Sequence, residues 1–298
     1  MQSTRTLLKV FTTDALNLLG LAIGILVVLL SGQISDPWAN AINAIGVSLL
    51  VACFLTLWFR AISRITEGKK IAFFGEQIMK EEALLIYPDF VLSSEAQEAL
   101  SKLHTQAYFS RPRSRYDSVV SHRNDLPDVV AANDVRALLY VAPLVAGWNG
   151  SGSRMIIDRR FLDFTDRSFI SFGLSSNDLT HMYLEVDPKP LFSIVDDENG
   201  SEYLRVGETN YVSTETTQFG IVVRFRAKLD VYPEQVWFLV AGLGPIGTTA
   251  AAYFLSHQWQ TLSKLAPDKE DFIAIISCGV GSENNGRLID VVTRSKQS

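Results

Sequence analysis

Val236-Trp237-Phe238-Leu239-Val240-Ala241-Gly242-Leu243-Gly244-Pro245-Ile246-Gly247-Thr248-Thr249-Ala250-Ala251 is the stretch that decides the fold class. The apolar run Val236 to Ala241 predicts a strand, and the alanine-rich stretch Thr248 to Leu262 predicts a helix. Between them Gly242, Gly244 and Gly247 fit the pattern GxGxxG, whose glycines permit a tight turn and a close approach of backbone N–H groups to phosphate at a helix N-terminus. Thr248 and Thr249 add hydroxyl donors. Glycine turns between strand and helix also serve packing alone, so both readings stand at this point. A dinucleotide site further expects a carboxylate at the end of the next strand, and that strand ends in Ser277-Cys278-Gly279 with no acid before Glu283.

Working outward, the same order of elements recurs. Ser168 to Phe172 predicts a strand, Gly173-Leu174-Ser175-Ser176-Asn177-Asp178 a polar loop, and Leu179 to Glu185 a short helix. Asp89 to Leu92, Met155 to Ile157 and Phe272 to Ser277 are further strand candidates. Ser94, with Glu98 placed to cap its first turn, begins one helix, and Val129 to Ala146 forms another that ends at Gly147. From Leu191 to Ala227 the pattern changes to period two, with Asn199-Gly200 as a hairpin signal, and Phe219 to Arg226 is placed to pair with Val236 to Ala241. The expected fold class is α/β: a Rossmann-like three-layer domain over 89–298 with a β-hairpin insertion, preceded by a helical connector over 65–88.

Residues 1–64 read as a two-helix transmembrane anchor. Ala15 to Ile34 and Ala41 to Ile62 each approach the ~20 apolar residues that cross a hydrocarbon core. Arg5 and Lys9 precede the first, and Arg60, Arg64, Lys69 and Lys70 follow the second, while the tip Ser35 to Asn40 has no basic residue. Both termini are therefore expected on the cytoplasmic side of the membrane. A cleaved signal peptide is the rival for the first segment, and the second segment counts against it. Gly20 with Gly24, and Ser48 with Ala52, are small pairs at the spacing that lets helices approach in lipid. They serve either homo-oligomerisation or packing inside one hairpin.

A net charge of -5 argues against nucleic acid as a partner. The two cysteines, Cys53 and Cys278, make no disulfide framework or zinc spacing, and His104, His122, His181 and His257 lie at no metal-binding interval. Ser175, Ser176 and Asn177, opening a helix, are either anion ligands or ordinary caps. Arg113 and Arg115, within the run Arg111 to Arg115, and the pair Arg159-Arg160 suit phosphate or anionic lipid, with a solvated loop as the alternative. No nucleophile elbow, Walker lysine or zinc-protease motif occurs, so an enzyme is the less favoured class.

Asp134-Val135-Arg136-Ala137, Phe172 to Asn177 and Ala241 to Ala251 together resemble a domain of uncharacterised bacterial proteins that is joined to varied output modules. Leu174-Ser175 stands where that domain usually has glycine and proline. The whole arrangement is similar to bacterial antiphage effectors that join two membrane helices to a Rossmann-like nucleotide sensor of the SLOG, CARF or SAVED type. The resemblance implies a membrane-anchored sensor whose lipid-embedded helices respond to a nucleotide-like phosphorylated ligand at Gly242, Gly244, Gly247, Thr248, Thr249, Gly173, Ser175, Ser176, Asn177, Arg113 and Arg115. A membrane-tethered nucleotide-processing enzyme and a passive scaffold are the alternatives.

Overall fold

The computed structural model describes residues 2–31, 38–89, 95, 132–146, 152–164, 166–197, 200–226, 234–266 and 270–296. They divide into two compact units, Met1–Lys70 and Ile71–Ser298.

The first unit contains helix α1, Gln2–Ser31, and most of helix α2, Trp38–Phe74. Among the described residues one helix, α2, is long and apolar enough to cross a membrane, while α1 contributes the shorter apolar stretch Leu16–Ser31. Large apolar side chains stand exposed along both, among them Leu16, Leu29, Ile45, Phe54 and Phe59. Such a surface is costly in water and costs nothing in hydrocarbon. The two helices touch through glycine. A Cβ at Gly20 would lie 2.7 Å from Cys53 Sγ, one at Gly24 2.9 Å from Leu50 Cγ, and one at Gly46 2.8 Å from Val28 Cγ2. Gly20 and Gly24 are thus used within the chain, whereas Ser48 and Ala52 lie exposed on α2.

The second unit is a mixed α/β domain. Its strands in chain order are β1 Ala83–Tyr87, β2 Ser153–Ile157, β3 Phe169–Phe172, β4 Ser193–Asp196, β5 Glu202–Val206, β6 Thr209–Tyr211, β7 Thr217–Phe225, β8 Trp237–Gly242, β9 Phe272–Gly279 and β10 Arg287–Thr293. Seven form one sheet in the order β2-β1-β3-β8-β7-β9-β10, and β4-β5-β6 form a separate antiparallel sheet. Strands β2, β1, β3 and β8 run parallel, β7 runs against both its neighbours, and β10 runs against β9.

Of the strand expected at 89–92, Asp89 is not in a strand and residues 90–92 lie outside the described residues; the strand described in this region is β1, Ala83–Tyr87. The stretch read as a helical connector, 65–88, is helical through α3, Glu76–Lys80, and then supplies this strand. β1 is hydrogen-bonded on both sides, and its residues Ala83 to Ile86 are buried. An interior strand of this kind is a continuous apolar run, which no period distinguishes from a helix. The edge strand β10 escaped reading because a register shift between Leu288 and Asp290 interrupts its alternation.

Helices α4, Ala132–Val145, and α6, Pro245–Leu265, cover one face of the large sheet, where Ala137, Val141, Ala251 and Leu255 meet Leu85, Val222 and Val240. Helix α5, Asp178–Val186, and the small sheet cover the other, where Leu179, Tyr183 and Leu204 meet Ile86, Val223 and Leu239. The last four residues of α2 belong to this unit, and Phe73 and Phe74 are buried in its core. Arg224 of β7 is buried too. Its guanidinium lies over the rings of Phe73 and Phe272 and donates to the carbonyls of Glu270 and Phe73.

Helix α6 begins so close to the sheet that side chains are excluded. A Cβ on Gly220, Gly242 or Gly247 would collide with backbone atoms of the facing element. Gly220→Ala must force strand and helix apart, so a loss of about 1–3 kcal/mol or more is expected in chemical unfolding of the detergent-solubilised protein. Gly152→Ala, whose Cβ would meet nothing within 4 Å, should stay within about 0.5 kcal/mol of wild type.

Candidate ligand site at the carboxyl edge of the sheet

Because β3 and β8 are parallel neighbours, the two loops singled out in the sequence leave the sheet side by side. The Gly173 N–H donates to the Val240 carbonyl at 3.1 Å. They are unequal in what they leave open.

In the loop after β8, Gly242 and Gly247 are taken up by the backbone contact with β7 and the first turn of α6. Leu243 N donates to Phe219 O at 2.9 Å. Thr248 and Thr249 are buried, and the Thr249 hydroxyl is held by the carbonyls of Asn133, 3.2 Å away, and Pro245, 3.0 Å away. That hydroxyl joins α6 to α4. Gly244 differs from its neighbours. It is exposed, with φ +86°, and caps a helix of 21 residues without any side-chain cap hydrogen bond. A Cβ there would find only Gln218 Oε1, at 3.7 Å. The positive φ suits glycine, and the surrounding space leaves the start of α6 accessible to a ligand.

In the loop after β3, Asn177 is fully buried, accepting from Leu179 N at 2.8 Å and donating to Phe172 O at 2.6 Å. It is a helix cap. Thr180 donates its hydroxyl to Gly173 O at 2.9 Å, and Ser175 donates to Glu202 Oε2 at 2.7 Å. Gly173 has φ +105°, and Ser176 is exposed.

The start of α5 already holds an anion, one that the chain provides. Asp158, buried directly after β2, accepts from the backbone N–H groups of Asp89 at 3.1 Å, Arg159 at 2.9 Å and Asp178 at 3.2 Å. Arg159 pairs with Asp89, and Arg160 is exposed. Arg113 and Arg115 lie outside the described residues.

The crossover from β8 to β9 passes over β7, so the strand after the glycine loop is not its neighbour. Glu283, the first acid after β9, pairs instead with Arg136 at 3.1 Å. Burial and the Glu283 charge push the Cys278 thiol up to about 11, which keeps it protonated at neutral pH.

Two buried carboxyls at this edge, Asp134 and Asp158, are not among the site residues expected from the sequence, although Asp134 opens one of the motifs quoted there. Asp158 had a weak signal, as an acid placed directly after a strand. Asp134 lies one turn before the apolar positions Ala137 and Leu138 of α4 and shares their buried stripe. No family model, curated protein or solved structure matches the chain.

Burial raises the Asp134 carboxyl above its ordinary value. The native state then binds this proton more tightly than the unfolded chain, so stability falls as pH rises from the unfolded value of about 3.9 through the raised native one. Asp134→Asn should increase Tm at neutral pH, with the gain shrinking as the pH approaches that of the unfolded carboxyl. A lower Tm for the variant at neutral pH would mean that the native carboxylate is favourably paired.

Proposed function

We infer that the chain is a membrane-anchored sensor or effector whose α/β domain binds a nucleotide-like phosphorylated small molecule at the start of α6. The observation that carries this reading is the contrast between two helix starts on one sheet edge. The start of α5 is satisfied by Asn177 and Asp158, whereas that of α6 has Gly244 in open space and no side-chain cap. The positive end of a helix dipole and backbone N–H groups favour an anion there. In this reading the domain is a Rossmann-like three-layer fold with β7 inserted between the strands of the crossover. The membrane part is a two-helix hairpin of α1 and α2 with both termini cytoplasmic, and the resemblance to antiphage effectors supplies the setting.

The scaffold reading retains one specific support: Gly242 and Gly247 are already accounted for by packing. Gly244 separates the two readings. In the detergent-purified chain, pyrophosphate should raise Tm, and Gly244→Val should remove that protection while leaving a cooperative unfolding transition. No protection of the wild-type protein by pyrophosphate or by ATP would favour the scaffold.

The membrane output has its own test. Since Gly20 and Gly24 face α2, association between copies falls to the exposed pair Ser48 and Ala52. Replacing both by leucine should weaken self-association in lipid vesicles, measured by energy transfer between labelled copies, without changing insertion. Unchanged energy transfer would remove this face from the proposal.

A further inference from the structure

Among the described residues, Asp134 is the buried carboxyl at the sheet edge to which the fold gives no bonding task. The inward stripe of α4 comprises Asp134, Ala137, Leu138, Val141 and Leu144, the spacing of a helix face turned to a core. An acid in the first turn of a helix ordinarily stands in solvent, where the dipole suits it. Asp134 is only 9% exposed, and among the described residues it has no hydrogen bond or ion pair. Asp158, by contrast, holds three backbone N–H groups.

The position of Asp134 is fixed from both sides. Asn133, just before it, accepts from the hydroxyl of Thr249, one turn into α6. Arg136 and Tyr140, just after it, bond to Glu283 and Asn284 in the turn that follows β9, at 3.1 and 3.0 Å. These contacts set the start of α4 beside α6 and the turn after β9, at the same edge of the sheet as the open Gly244.

We propose that Asp134 is the specificity-determining carboxyl of this site, accepting hydrogen bonds from the hydroxyl groups of a ligand whose phosphate lies at the start of α6. The ligand class is then a phosphorylated polyol, such as a sugar phosphate or nucleotide, in place of bare phosphate. This rests on the reading of the α6 start as an anion site. The chemistry is selective in two ways. Two acceptor oxygens match a pair of hydroxyl donors, and a second anionic group in their place is repelled. A carboxyl buried without a partner is a cost to the empty protein, and a ligand that supplies the donors relieves it.

The test uses the full chain in detergent, with inorganic phosphate and ribose 5-phosphate as calorimetric probes of wild type, Asp134→Asn and Asp134→Leu. Wild type should bind ribose 5-phosphate more tightly than phosphate. Both variants should lose about ten- to a hundredfold in affinity for ribose 5-phosphate, the range for hydrogen bonds to a charged group, while phosphate affinity stays and Tm does not fall. If the variants keep their preference for ribose 5-phosphate, or if wild type has none, the role of Asp134 is refuted and the anion site stands. Loss of phosphate binding in the variants would reassign Asp134 to holding the helix start, and unfolding of both would make it a purely structural group; either outcome ends the proposal. If wild type binds neither probe, the anion site itself fails, and this inference with it.

Discussion

The contact on which the rest of the domain depends is that between the first turn of α6 and the strands β7 and β8, made by Gly220, Gly242 and Gly247 with no side chain between the backbones. Close approach there sets the height of α6 above the sheet, and with it the layer in which Ala250, Ala251 and Leu255 are buried. It also fixes the Thr249 hydroxyl where it can reach α4. Glycine at these three places is a packing requirement first. Gly244 is the member of the motif that the packing leaves over, and the functional reading rests on that remainder.

The two helix starts show how one edge can be closed and open at once. Asp158 takes the place an external anion would occupy at α5, and three backbone donors make that arrangement self-sufficient. The same carboxylate ties the exit of β1 to the start of α5. The proposed anion site lies instead on the side of the edge bounded by α6, α4 and the turn after β9.

Much of this was legible in the sequence where local signals are strong. The strand, turn and helix around Gly242 to Gly247, the β3 loop, and the antiparallel pairing of β7 with β8 follow from apolar runs bounded by glycine and by turn residues. What was not legible depends on neighbours. The continuous run at Ala83 to Ile86 acquires its strand identity only from β2 and β3 on either side. That β7 separates β8 from β9 is a fact of strand order, which no local pattern encodes. Of the expected site residues, Asn177 and Thr249 proved to be engaged by the fold, because a capping or bridging side chain is identical in sequence to one that awaits a ligand. Asp134, quoted only as part of a motif, and Asp158 were not assigned as site residues for the converse reason: burial is a property of the assembled layers.

The end of α2 bears on where the domain begins. Domain boundaries usually fall in exposed linkers, so that anchors and domains can be exchanged by cutting between them. Here the helix that carries the apolar span also carries Phe73 and Phe74, two of the largest side chains in the domain core, and its Phe73 carbonyl accepts from Arg224. The compact unit therefore starts inside a helix. Any recombination that grafts this domain onto another anchor has to bring Ile71 to Phe74 along, or leave two aromatic-sized holes beneath Phe238 and Trp259.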